Sequence, residues 1–214
     1  MYQFLATSFI LLTMESAFSK HIIISGFDAF HGRTVNNSTV IAEKLVKRFE
    51  STDIKVTFCP VRTIYYKASE ELKDCIASSE IKPDYVISLG EAFCRDVKFE
   101  TSSVNAMNDY GGDNDGVSYD GEKIRPDGSW FAPMTLKLGP FRRMLPRSMK
   151  KYIKMSSSAG RFVCNNTAYI MASDIDIPYA FIHVPANHCA ESSMLVERST
   201  QILEATIKNL FKSQ

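Results

Sequence analysis

An excess of charge of either sign is missing from this sequence: 25 Lys and Arg stand against 24 Asp and Glu, a net of +1. That balance gives no global electrostatic reason to expect a nucleic-acid partner or an anionic membrane surface. Glycine and proline are sparse, at 10 and 8 residues, and a collagen-like or low-complexity chain is excluded. No long apolar run occurs beyond the N-terminal segment, which excludes a polytopic membrane protein. The five cysteines include no CxxC pair, so zinc-ribbon and thioredoxin-like readings lose their main support. The four histidines include no ligand spacing, so a metal site has little support, and no motif suggests a cofactor. What is present is ordinary for a globular domain: 214 residues, 45% hydrophobic, 23% charged and 11% aromatic. A chain of this length buries a sizeable core in one domain.

Residues 2–14 form the uncharged run YQFLATSFILLTM, too short for a comfortable transmembrane helix. Ala17 and Ser19 follow, two small residues separated by one, as a signal-peptidase site requires. Residues 1–19 therefore read as a cleaved signal peptide, with the mature chain starting at Lys20, exported to the periplasm or secreted, and with no stable membrane insertion after cleavage. A buried N-terminal helix or a membrane anchor are the other readings. No Lys or Arg precedes the apolar run. Without cleavage the chain stays cytoplasmic. The odd number of cysteines leaves at least one unpaired within a monomer.

From residue 20 the pattern alternates. The run HIIIS at 21–25 is a short β-branched strand closed by Gly26, and 53–61 returns as a second strand. Between them Asn37 or Ser38 is placed to cap a helix carrying Ile41, Leu45, Val46 and Phe49. Helical spacing recurs over 66–79, then a third strand spans 85–89, closed by Gly90. The stretch 101–135 reads as irregular, 134–145 as an amphipathic helix, 151–157 as a strand and 163–173 as a helix. Residues 178–184 read as a buried strand and 190–211 as a long closing helix. Strand and helix in alternation predict a single α/β domain over 20–214: three α/β/α layers around a twisted, mostly parallel mixed sheet.

Ligands of such sheets bind beyond the carboxyl ends of the strands. Four segments put reactive residues there: GFDAFHGRTVNNS after the first strand, GEAFCRDVKFE after the third, SSSAGRFVCNNTAYI leading into a helix, and AFIHVP at the end of a strand. Cys164 stands near a helix start, where unpaired N–H groups and the helix dipole favour a thiolate, and a nearby imidazole would lower its pKa further. Taken singly, Cys164 also fits as buried filler, His183 as a core residue, Glu100 as a surface acid and the phenylalanines as core packing.

Together these segments resemble pyroglutamyl-peptidase I, the pyrrolidone-carboxylate peptidase family. The first is similar to its GFxPFGGxxxNPS opening, the second to its GQAGGRxxIxxExxxxN stretch, the third to its SNxAGxxVCN nucleophile segment and the last to FIHVP. The resemblance covers essentially 21–211. It implies Cys164 as nucleophile, His183 as general base and acid, and Glu100 as the carboxylate orienting the imidazole. It implies Phe27 and Phe30 as walls around a pyroglutamyl ring, Phe162 and Val163 as lining of the same pocket, and Glu91 where the family has a ring-contacting Gln. The activity it implies is removal of an N-terminal pyroglutamate from a blocked peptide through a thioester. A homo-oligomer is also implied.

The sequence departs from that pattern around the pocket. GQAGG becomes Gly90-Glu91-Ala92-Phe93-Cys94, so two glycines gain side chains, and His31 replaces a glycine of the opening motif. Tyr110 aligns with a family Arg. An intact triad beside an altered pocket leaves two further readings: an amidase or peptidase acting on another N-terminal or cell-wall glutamyl bond, and a silent peptide-binding homologue. With export, Cys94 and Cys189 are expected to pair and staple the altered pocket. The sequons at Asn36, Asn37 and Asn165 matter only in a eukaryotic secretory host.

Overall fold

The computed structural model describes residues 20–92, 95–108 and 111–212. The segment read as a signal peptide, together with Cys94 and Tyr110, lies outside the described residues. Two strand–helix units open the chain: β1 (Lys20–Phe27), α1 (Asn37–Phe49), β2 (Ile54–Val61) and α2 (Lys67–Ala77), followed by β3 (Tyr85–Glu91). Three short strands come next, β4 (Val97–Glu100), β5 (Ser102–Val104) and β6 (Phe131–Pro133). The remainder is α3 (Gly139–Met144), α4 (Arg147–Lys150), β7 (Ile153–Ser156), α5 (Val163–Asp174), β8 (Tyr179–Val184) and α6 (Ser192–Lys212).

The main sheet has the order β2-β1-β3-β8-β4-β7. Pairing is parallel from β2 through β8, antiparallel between β8 and β4, and parallel again between β4 and β7. The expected three-layer mixed α/β arrangement is thus present. One core joins Ile22, Ile24, Ile87 and Ile182 to α1 and α6 through Leu45 and Leu203. The other joins Ile23, Val86 and Phe181 to α2 and α5 through Leu72 and Ala168. Alternate residues of each strand feed opposite faces, so strands read as continuous apolar runs because both faces are covered. Among the described residues no helix is long and apolar enough to cross a membrane.

Several expectations need correction. The helix read over 134–145 starts late, with 134–138 outside it: Ala132, Met134, Leu136 and Leu138 are buried while the residues between them are exposed. That is a period of two, and the helix is confined to α3, which starts at Gly139 with Pro140 near its N-terminus. Residues 97–100, not read as a strand, form β4, because antiparallel pairing with β8 holds them. The cap of α1 is Asn36 rather than Asn37 or Ser38; its side chain accepts the Ser38 N–H at 3.0 Å. All three sequon asparagines are buried, at 4%, 3% and 0% exposure for Asn36, Asn37 and Asn165, so the fold leaves no room for glycan on them.

The cysteines add a link that the sequence does not announce. Cys59 on β2 and Cys75 on α2 form a disulfide across a sequence separation of 16, with Cα atoms 6.2 Å apart. Cys189 is disulfide-bonded as well. Cys164 is the free cysteine among the described residues.

Candidate active site

The carboxyl ends of β1, β3 and β8 lie side by side, and their last residues are Phe27, Glu91 and Val184. Gly90 on β3 is in register with His183 on β8. Partners in register share a face of the sheet, so a side chain at position 90 would stand beside the imidazole. That space is taken by sulfur. A Cβ on Gly90 would lie 2.8 Å from Cys164 Sγ and 2.9 Å from Phe181 Cζ. The glycine is therefore what lets the first turn of α5 bring its thiol onto the strand that flanks His183.

Two asparagines fix that turn. Asn165 Oδ1 accepts the Val104 N–H at 2.9 Å, and its Nδ2 donates to the Val104 and Ala106 carbonyls at 2.8 and 3.0 Å. Asn166 Oδ1 accepts the Tyr66 N–H at 2.8 Å. Side-chain amides buried in this way hold the helix start in one place, because an unmade bond would cost the full desolvation of each group.

His183 Nδ1 lies 2.8 Å from Glu100 Oε1, and both side chains are buried. The carboxylate accepts the Nδ1 proton, which leaves Nε2 to exchange protons with a neighbour. Glu100 Oε2 is buried and accepts no hydrogen bond among the described residues.

These groups open onto one cavity of about 470 Å³. Its lining includes Cys164, His183, Glu100, Phe27, Phe30 and Phe162. Phe30 lies 6.1 Å from Phe162 between ring centroids, and Phe27 lies 6.3 Å from Phe181. Val163 is not brought to this wall: it is fully buried in the core behind Cys164. Glu91 lines the cavity, but its carboxylate is held from the side. Its Oε1 accepts the N–H of Asn37 at the start of α1 and that of Asn187 at 3.1 Å, and Arg33 Nη1 donates to Oε2 at 3.2 Å. Burial nevertheless pushes the Glu91 carboxyl above its ordinary range, against the pull of those donors.

The thiol corrects the expectation drawn from its helix position. Burial pushes Cys164 up to about 12, and the negative charges of Glu100 and Glu91 act in the same direction. Its own backbone N–H pulls the other way and does not prevail. These influences favour the protonated thiol at Cys164 over a preformed thiolate.

Among the lining residues that the sequence does not place at the site are His31, Lys98 and Arg161. His31 carries a left-handed φ of 53° and rests its ring 4.9 Å from Phe30 and 6.2 Å from Phe162. Its signal was the lost glycine of the opening motif. Lys98 gave no such signal, because it faces the cavity only once β4 pairs with β8. The other two histidines lie outside the site: His21 is buried between the Ile81 carbonyl and Thr57 Oγ1, each at 2.9 Å, and His188 is exposed.

Comparison with known proteins agrees with this geometry. The family model described as pyroglutamyl peptidase matches residues 20–209. The chain is 32% identical over 174 residues to a pyrrolidone-carboxylate peptidase of Fusobacterium nucleatum, covering 78% of each chain. It is 31% identical over 201 residues to one of Finegoldia magna, covering 87% of this chain and 91% of that one. Among solved structures it is similar to pyroglutamyl peptidase I of Bacillus amyloliquefaciens, with a TM-score of 0.76, 26% identity, and coverage of 88% and 95%. A thiol, a carboxylate-held imidazole and an aromatic cavity thus sit on the fold that these enzymes share, and the chain belongs to the pyroglutamyl peptidase family.

Proposed function

We propose that this protein is a cysteine peptidase that removes an N-terminal pyroglutamyl residue from peptides. The observation that carries the reading is the convergence of Cys164, His183 and Glu100 on one cavity walled by Phe27, Phe30 and Phe162. A lactam ring is flat and uncharged, and apolar walls with a few backbone hydrogen bonds suit it. His183 Nε2 takes the Cys164 proton as sulfur attacks the carbonyl that joins pyroglutamate to the next residue. Backbone N–H groups at the start of α5 stabilise the resulting oxyanion. The imidazolium then gives its proton to the leaving amine, and a thioester remains. Water, deprotonated by His183, attacks that thioester, and pyroglutamate and the thiol are released. Because the resting thiol is protonated, transfer to His183 accompanies the attack. The altered Glu91 does not force a charged substrate, since α1, Asn187 and Arg33 already engage its carboxylate.

Hydrolysis of a fluorogenic pyroglutamyl amide tests the reading, with Cys164→Ala as control. Release of the fluorophore, abolished in the control, is the expected result. An intact protein that leaves this amide uncleaved, yet alkylates at Cys164 and hydrolyses a different blocked peptide, would replace it.

Export and cleavage after Ser19 belong to the same proposal, and the Cys59–Cys75 disulfide supports them, because such bonds persist in oxidising compartments. With Cys59, Cys75 and Cys164 accounted for, Cys94 is the partner proposed for Cys189. Peptide mapping without reductant would show the two joined.

A further inference from the structure

We infer that Lys98 makes this enzyme selective for a carboxylate on the leaving side of the scissile bond, a deepening that rests on the pyroglutamyl reading above. Lys98 and His183 are register partners in the antiparallel β4–β8 pair. Adjacent strands run about 5 Å apart, so the two side chains stand next to each other on one face. Glu100, two residues further along β4, occupies that same face and holds His183. Lys98 itself lines the cavity that contains Cys164 and His183.

The chemistry sets which part of the substrate meets it. The imidazole hands its proton to the departing amine, so the residue after pyroglutamate must lie over His183 and away from the phenylalanine walls. The next strand outward from His183 is β4, and the side chain there is Lys98. A carboxylate one residue beyond the scissile bond therefore falls within reach of an ammonium group.

One more observation points the same way. Lys98 is in register with Lys154 on β7, so two cations extend outward from His183 in one row. Like charges directly opposite each other cost stability, and an anion lying over the row offsets that cost. The carboxylate has two sources: an acidic side chain in the second residue, or the free α-carboxylate of a pyroglutamyl dipeptide.

The test compares kcat/KM for pyroglutamyl-alanine amide, free pyroglutamyl-alanine, pyroglutamyl-glutamate amide and pyroglutamyl-lysine amide. Wild type, Lys98→Gln, Lys98→Arg and Lys98→Glu are assayed side by side. Wild type is expected to favour at least one carboxylate-bearing substrate over alanine amide by about 5- to 10-fold, mainly through KM. Preference for the free dipeptide alone identifies the α-carboxylate, and preference for glutamate amide identifies the side chain. Lys98→Gln should erase the preference, Lys98→Arg should keep it, and Lys98→Glu should turn it toward the lysine amide. A uniform change across all four substrates would reduce Lys98 to a structural role and overturn the inference. Failure to cleave any of the four, alanine amide included, would overturn the pyroglutamyl reading and this inference with it.

Discussion

At the scale of single residues, Glu100 has two effects that oppose each other, and one variant separates them. Its carboxylate orients His183 through the 2.8 Å bond to Nδ1, yet its charge helps to hold the Cys164 proton in place. Glu100→Gln keeps the shape and removes the charge. Turnover of a pyroglutamyl amide should fall about 10²-fold or more, as when the orienting carboxylate of other triads is neutralised. The thiol should at the same time become more acidic. In the wild type, the rate of Cys164 alkylation should climb steadily with pH through about pH 9.5 without a plateau near neutrality, because only the small thiolate fraction reacts. In the variant, that rise should move to lower pH. A plateau near pH 7 in the wild type would show a preformed thiolate and refute the proton-transfer order given above. Residue identity was largely legible in the sequence, since Cys164, His183 and Glu100 lie in quotable motifs. Residue environment was not. Position near a helix start suggests an acidic thiol, whereas burial and then the charges of Glu100 and Glu91 push the other way.

At the scale of elements, the ends of the strands matter more than their middles. Gly26 and Gly90 look in the sequence like strand terminators, but both lie inside their strands. A Cβ on Gly26 would lie 2.8 Å from the Thr39 backbone N, and one on Gly90 would lie 2.8 Å from Cys164 Sγ. These glycines let α1 and α5 dock with their N-termini against the sheet. Asn36 completes the first docking: its Oδ1 accepts from the Ser38 N–H and, at 2.7 Å, from the Ser38 hydroxyl, while its Nδ2 donates to the Asp28 carbonyl at 2.9 Å. Asn36→Ala should cost about 1–2 kcal/mol by chemical denaturation, the loss of a strong cap with its tie to the β1–α1 loop. A change below about 0.3 kcal/mol would show that the cap contributes nothing. The long strands and helices were legible because their periodicity is local. β4 was not, since four residues carry little pattern and their pairing with β8 is a long-range event. The expected helix over 134–145 begins too early because the buried alternation of Met134, Leu136 and Leu138 spans so few residues that its period of two resembles a partial turn.

At the scale of the whole molecule, one covalent link crosses layers that packing alone would otherwise join. The Cys59–Cys75 bond ties the edge strand β2 to α2, which packs on the same face as α5. β2 has a sheet neighbour on one side only, so a staple to α2 ties down an edge of the sheet. A sequence separation of 16 places the entropic benefit near 3 kcal/mol. Replacing the pair by Cys59→Ala with Cys75→Ser should lower the unfolding free energy by roughly that amount, read from the denaturant midpoint at constant m-value. Turnover per folded molecule should be kept, because neither residue lines the cavity. Mild reductant should lower the wild-type midpoint toward that of the double variant and leave the variant where it is, provided that the bond at Cys189 contributes little. A fall in the variant as well would show that the Cys189 bond adds stability of its own. An unchanged midpoint in both would show that the Cys59–Cys75 corner is held by packing alone, and would remove the disulfide as support for an oxidising compartment.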